Sequence, residues 1–428
     1  MQRRTLLATG AAGALGAAMT SAAPAAAAPP ARRVDTGLDR LVADDFATLA
    51  GRRVGVLSNP TGVDSDYRHL VDLIHESGSV SHLAAFGPEH GFRGSAQAGG
   101  SEGTGIDART GITVYDAYGA SQAKWAQMLT AADVDTLVFD IQDVGVRFYT
   151  YIWTMYTSMV VAARLGLRYV VLDRPNPIGG KAYGPLMTAP YTSGVGLKEI
   201  VQQHGMTVGE LARYFNAVFL PAEAGRSVDL EVVALRHWKR TMFAADLDLP
   251  WVMPSPNMPT PDTALVYPGT GLFEGVSSIS EGRGTTRPFE LIGGLATDFD
   301  YHWSDRLNAR ELPGVRFREA YFVPTIAGQH PPMLNQLCAG VEVKVVDRAA
   351  YDPIRTAVAM LVEARKYPAF AWRYDSYDPV RPYWVDKLTG STRLRTMIDA
   401  GADVDDVVGA WSDELTAFER QRQPFLLY

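Results

Sequence analysis

The sequence predicts an α/β protein built on a doubly wound, mostly parallel sheet, with a second, smaller α/β domain after it. Three observations predict this. Short apolar runs alternate with stretches of helical spacing, the pattern that stacks helices against a parallel sheet. Most runs end in Gly, Pro, Asn or acidic residues, the punctuation of strand-to-helix turns. The chain has 428 residues, 47% hydrophobic and 20% charged, enough for more than one domain and a large core.

In order, "RRVGVLSNPTG" (52–62) reads as a buried strand over Val54 to Leu57 with an Asn-Pro exit. "HLVDLIHESG" has helical spacing through Leu70, Leu73 and Ile74 and a Gly78 stop. "SVSHLAAF" is the second strand, leaving through "GPEHGFRG" and a Gly-rich stretch, and "ITVYDAYG" is a short third. "SQAKWAQML" is helical, "VDTLVFDIQDVG" a strand ending in carboxylates, "TYIWTMYTSMVVAARLG" a long helix, and "LRYVVLDRPNPIGG" a fifth strand. A helix in "MTVGELARYFNAV" and a strand in "VDLEVVAL" follow, then a Pro-rich turn, "LPWVMPSPNMPTPDTALVYPG". The texture changes near residue 290: "GVRFREAYFVPTI" and "CAGVEVKVVD" are strands, "IRTAVAMLVEARKYP" and "VDDVVGAWSDELTAFERQR" helices. The domains are therefore expected at 36–289, Rossmann-like, and 290–428. Residues 1–30 stand apart: Arg3-Arg4, an Ala/Leu/Gly run and small residues suited to cleavage predict an export signal, of the twin-arginine type. The expected localisation is outside the cytoplasm, and no later stretch has the length of a membrane span.

Several chemistries are excluded. A formal net charge of −7 disfavours non-specific nucleic-acid binding. The single cysteine, Cys338, rules out an internal disulfide or a thiolate zinc site. The first turn is "SNPTG" rather than a Gly-x-Gly-x-x-Gly loop, and there is no Walker A, nucleophile elbow or His-Glu-x-x-His segment. Neither a cofactor nor a metal is expected.

Carboxylates remain. In such sheets the ligand crevice lies beyond the carboxyl ends of the strands, and Asn59, Glu89, Asp140, Asp143, Asp173 and Asn176 all fall there. Glu274 and Glu281 lie in further Gly-flanked loops. For any of these acids except Glu89, a loop cap or ion-pair role is the simpler reading. Arg147, Tyr149 and Tyr151 follow the acids of "DIQDVG", and Arg283 follows Glu281. Aromatic, arginine and amide side chains around two acids suit a sugar, and glycoside hydrolysis needs a protonated acid at the leaving oxygen.

"FGPEHGFRG", "FDIQDVGVRFYTYIWTM", "VLDRPNPIGG", "HGMTVGELARYFN", "SPNMPTPDTALVYPGTGLFEG", "SEGRGTTRPFE" and "RQPFLLY" resemble the DUF1343 family, the NamZ-type exo-β-N-acetylmuramidases of glycoside hydrolase family 171. The likeness runs in order from about residue 37 to the C-terminus. It implies a Rossmann-like domain plus a smaller C-terminal domain, with the active site in the cleft between them. The implied reaction releases N-acetylmuramic acid from the non-reducing end of peptidoglycan fragments. The resemblance makes Glu89 the essential acid/base, with Asp140 and Glu281 as companion catalytic carboxylates. His90, Arg93, Gln142, Asp143, Arg147, Tyr149, Tyr151 and Arg283, with Asn59, Asn176 and Asn257, make up the expected substrate-binding set. A bidentate arginine among Arg93, Arg147 and Arg283 would read the lactyl carboxylate. Two segments depart from the family pattern: "LKEIVQQ" (197–203) where it reads like "PIPIR", and "EGVSSI" (274–279) where it reads like "EGTNV". The alternatives are a muropeptide receptor on the same fold, or an esterase or amidase acting on wall material.

Overall fold

The structure is a computed structural model that describes residues 33–97 and 99–428, so the expected leader lies outside the described residues. Twelve strands occur among them: β1 (Arg53–Ser58), β2 (His82–Gly87), β3 (Gly105–Ile106), β4 (Thr113–Asp116), β5 (Thr136–Asp140), β6 (Arg168–Leu172), β7 (Tyr183–Leu186), β8 (Val201–Gln203), β9 (Asp229–Val233), β10 (Leu291–Leu295), β11 (Val315–Phe322) and β12 (Cys338–Val345). Seven form one sheet in the order β3-β4-β2-β1-β5-β6-β9. All its neighbours pair in parallel except the short β3, which runs antiparallel to β4. The chain winds outward from β1 through β2, then returns to β5 and winds the other way. The switch point therefore lies between β1 and β5.

The period-two alternation of a strand buried on both faces is visible residue by residue. Leu137 and Phe139 of β5 enter one apolar cluster, and Val138 enters the other. Tyr169 and Val171 of β6 likewise oppose Val170 and Leu172. The first cluster continues into the C-terminal half as far as Trp303, Ile354, Met360 and Phe418. There β10, β12 and β11 form a three-stranded antiparallel sheet, with helix His302–Asn308 packed on β11 and β12 and helix Pro353–Ala364 packed on that helix. Doubly wound sheet and smaller second α/β domain are both present as expected.

Two expectations change. The stretch read as a Pro-rich turn contains helix Pro261–Thr270, capped by Thr260 Oγ1 on the Thr263 amide. Proline at the first helical position costs no hydrogen bond, which is why a Pro-rich string can begin a helix. The last expected helix breaks into Val404–Gly409 and Ser412–Arg422.

Candidate active site

Glu89 leaves β2 through a turn that needs unusual backbone. His90 has φ +71° and Gly91 φ +84°. A Cβ on Gly91 would fall 2.2 Å from the Glu102 carboxyl carbon, so glycine is required there. Glu102 accepts the Phe92 and Ser95 amides at 2.8 Å each, folding the Gly-rich stretch back over the turn. His90 is buried, its Nδ1 3.3 Å from the Ala96 carbonyl. The half-buried Glu89 side chain is thereby fixed. Its Oε1 accepts the Gly99 amide at 3.0 Å and its Oε2 the Thr150 hydroxyl at 3.3 Å.

One wall is aromatic. Tyr151 donates to the Pro254 carbonyl at 2.6 Å and lies 5.4 Å from Tyr149, ring to ring. Tyr149 in turn lies 5.9 Å from Tyr267, on the helix absent from the sequence expectation. Burial pushes the Tyr267 phenol well above its ordinary pKa, and the carboxylates Glu274, Glu89 and Glu281 push the same way against Arg283. Tyr267 thus stands among three acids and one arginine. Glu281 is fully buried, with Arg283 Nε on its Oε1 and Oε2 unpartnered. Burial raises the pKa of Glu274, opposed by Arg283 and reinforced by Glu281. Asn59 Nδ2, the Tyr149 hydroxyl and Asn257 Oδ1 are also buried without a partner. Such atoms are costly unless water or a ligand satisfies them. No group of three or more His, Cys, Asp or Glu positioned to hold a metal ion occurs among the described residues.

Other expected site residues are placed elsewhere. Asp140 is wholly enclosed, with Arg174 gripping its two oxygens at 2.5 and 2.9 Å, and has no open face toward a substrate. Arg147 is fully buried and donates to the carbonyls of Pro185, Ile200 and Leu388. It knits the chain together and cannot present a fork to a lactyl group. Arg93 is bidentate on Asp107, at 2.9 and 2.8 Å, and also reaches Asp72 at 2.8 Å. Asp143 holds the Gly145 amide at 2.7 Å and faces His204 at 3.3 Å. Gln142 and Asn176 bond backbone groups of adjoining loops. Of the three candidate arginines, Arg283 alone stands beside the acids near Glu89. The switch-point crevice is largely filled by these contacts, leaving about 50 Å³ beside Gln142 and Arg174. The open volume is one strand over: a groove of about 710 Å³ with Glu89 in its lining. Sequence reasoning missed Thr150, Tyr267 and Trp384, whose buried indole N–H faces Glu274. Thr150 and Tyr267 lie within the quoted blocks "FDIQDVGVRFYTYIWTM" and "SPNMPTPDTALVYPGTGLFEG", but only packing shows which members of a block meet Glu89.

The two halves of the chain match two family models, exo-β-N-acetylmuramidase NamZ, N-terminal (residues 54–262) and C-terminal (265–428). The chain is 42% identical over 401 residues to the peptidoglycan β-N-acetylmuramidase NamZ of Bacillus subtilis (strain 168), covering 92% of each. A crystal structure of a DUF1343 family protein from Bacteroides fragilis NCTC 9343 superposes with TM-score 0.81 at 32% identity, over 94% of this chain and all of that one. A second DUF1343 protein of that organism gives 0.73 at 31%, over 93% and 99%. The motifs, the fold and these likenesses agree, and the chain belongs to the NamZ exo-β-N-acetylmuramidase family, DUF1343.

Proposed function

We propose that this protein hydrolyses the bond to the terminal N-acetylmuramic acid at the non-reducing end of peptidoglycan fragments, with Glu89 as the acid that protonates the leaving oxygen. The observation that carries the activity is the 42% identity to a peptidoglycan β-N-acetylmuramidase across 92% of the chain. The role of Glu89 is supported by the two contacts that fix its carboxylate, its place on the open groove and the two further acids, Glu274 and Glu281, that bear with it on Tyr267. Arg283 is our candidate for reading the lactyl carboxylate, since an arginine beside buried acids keeps its charge and has a fork to offer. Glu281, held by Arg283, is the companion carboxylate closest to that arrangement.

The test is turnover of a chromogenic β-N-acetylmuramide by the wild type and Glu89→Gln, with the matching β-N-acetylglucosaminide as control. We expect release from the muramide only, reduced on the order of a hundredfold or more in the variant, as for loss of a general acid. Undiminished turnover by Glu89→Gln would remove Glu89 from the mechanism. A folded protein that binds muropeptides and turns over neither sugar would make it a receptor.

We further propose that the protein acts outside the cytoplasm. The support is the Arg3-Arg4 pair and the apolar, small-residue run that follows it. Replacing both arginines with lysine should leave precursor inside the cell. Retention of the unaltered chain inside would overturn the proposal.

A further inference from the structure

The groove beside Glu89 has an architecture of its own. It runs along one face of helix Tyr151–Leu165, where Thr150, Thr154 and Thr157 line its floor. Spacings of four and three residues place these hydroxyls on one side of a helix. From Thr150 to Thr157 the rise is about 10 Å, longer than one pyranose ring. Tyr118 stands on one wall, half-buried, its phenol pushed up by burial and by the nearby Glu89 carboxylate. The far end is a rigid polar knot. Glu223 accepts from Gln122 at 2.7 Å, Tyr156 at 2.8 Å and Lys198 at 2.5 Å. Lys198 belongs to the 197–203 segment that departs from the family pattern, and it also lies over the Tyr156 ring at 5.2 Å. The top is open, with Gly119, Ser121 and Gly194 exposed.

Resting on the glycosidase reading above, we infer that this groove holds the leaving saccharide, and that the terminal sugar lies on the opposite side of Glu89, against Tyr267, Glu281 and Arg283. An enzyme that removes the last sugar must let the remaining chain run out to solvent, and the groove is the open side of the acid. Thr150 joins the two roles: it lines the groove and donates to Glu89 Oε2, so that oxygen faces where the leaving oxygen would pass. The groove's charge selects its occupant. Among the lining residues, Glu89 and Glu223 face one cation, Lys198, which Glu223 already engages, while Arg164 braces Gln122 and the Glu223 carbonyl behind the knot. A row of hydroxyls ending in a neutralised ion pair suits an uncharged N-acetylhexosamine. It does not suit a fragment whose acidic peptide would have to lie there.

The experiment compares two substrates of the same glycone: a nitrophenyl β-N-acetylmuramide, whose leaving group is short, and a muramyl-N-acetylglucosamine disaccharide. Thr157→Trp would fill the groove away from Glu89, and Lys198→Met would break its far end without adding bulk. For each variant, kcat/KM on the disaccharide should fall at least tenfold more than on the nitrophenyl substrate, mainly through KM. Inhibition of nitrophenyl turnover by N-acetylglucosamine oligomers should weaken in parallel. Equal losses on both substrates, with inhibition unchanged, would overturn the assignment. If the wild type cleaves neither substrate, the glycosidase reading itself fails. If it cleaves both and the variants do not discriminate, the groove assignment alone fails.

Discussion

At the scale of single residues, the site depends on groups whose charge is set by enclosure. His69 shows how. It is buried beside Asn59, with Nε2 3.0 Å from the Asn59 carbonyl and Nδ1 accepting the Val71 amide at 3.3 Å. One ring nitrogen must donate and the other accept, so the ring is neutral. Burial accordingly pushes its pKa down to about 4 from 6.5, with Arg93 and Arg174 adding to the fall. The unfolded chain then binds a proton that the folded chain refuses between those two values. Stability from this group is fully present above pH 6.5 and is lost as pH falls toward 4, by about 3 kcal/mol in all. Urea unfolding of the wild type and His69→Asn at pH 7, 6, 5 and 4 checks this. The stability advantage of the wild type should shrink steadily across the series. An advantage that stays constant would mean His69 is not held neutral.

At the scale of elements, what the sequence disclosed follows a physical division. The central strands were readable because strands buried on both faces are continuous apolar runs, and Val54 to Leu57 and Leu137 to Phe139 are such runs. Helix ends were readable where capping chemistry is local, as at Gly78, which takes φ +62°. Elements that depend on distant partners were not. The β7–β8 hairpin is bracketed by Arg147, which reaches the carbonyls of both Pro185 and Ile200. Short β10, with adjacent Gly293 and Gly294, gains its place by pairing with β12 some forty residues on. The same division runs through the site. The strand-end rule named Glu89 and Asn59, and it equally named Asp140, whose enclosure depends on Arg174 arriving from the exit of β6. Arginines were the least legible residues of all. Arg93, Arg147 and Arg283 have the same side chain, and only the fold decides that the first binds two aspartates, the second three carbonyls and the third stays among the acids.

At the scale of the whole molecule, the end of the chain is fastened into the doubly wound domain. Arg422 donates to the carbonyls of His204 and Gly205 at 2.7 and 2.8 Å, and Arg213 reaches the Phe425 carbonyl at 2.9 Å. The Leu427 amide meets Glu210 at 2.7 Å, and the Tyr428 ring lies edge-on to Trp238 at 5.2 Å. The Tyr428 hydroxyl donates to Asp173 at 2.7 Å and accepts the Leu235 amide at 2.6 Å. Asp173 is fully buried at the exit of β6, and its other donors are the Arg174 amide, Thr207 and the Gly209 amide. Removing Leu427 and Tyr428 takes one donor from a buried carboxylate and exposes Trp238. A loss of roughly 2–4 kcal/mol follows from the buried hydrogen bond taken from Asp173, which keeps its three other donors, and from the lost packing of Tyr428 on Trp238. Because the larger apolar cluster runs without a break from Leu57 to Phe418, that loss should lower the Tm of one cooperative transition. Calorimetry of the full chain and the shortened one checks both parts. Two separated transitions in the shortened chain would mean the halves are stable independently and the tail merely ties them. An unshifted Tm would mean the fastening contributes nothing. Turnover of the muramide at a temperature where both chains are folded should differ by less than about threefold, since the tail meets the end of β6 while Glu89 leaves β2, on the other side of the switch point.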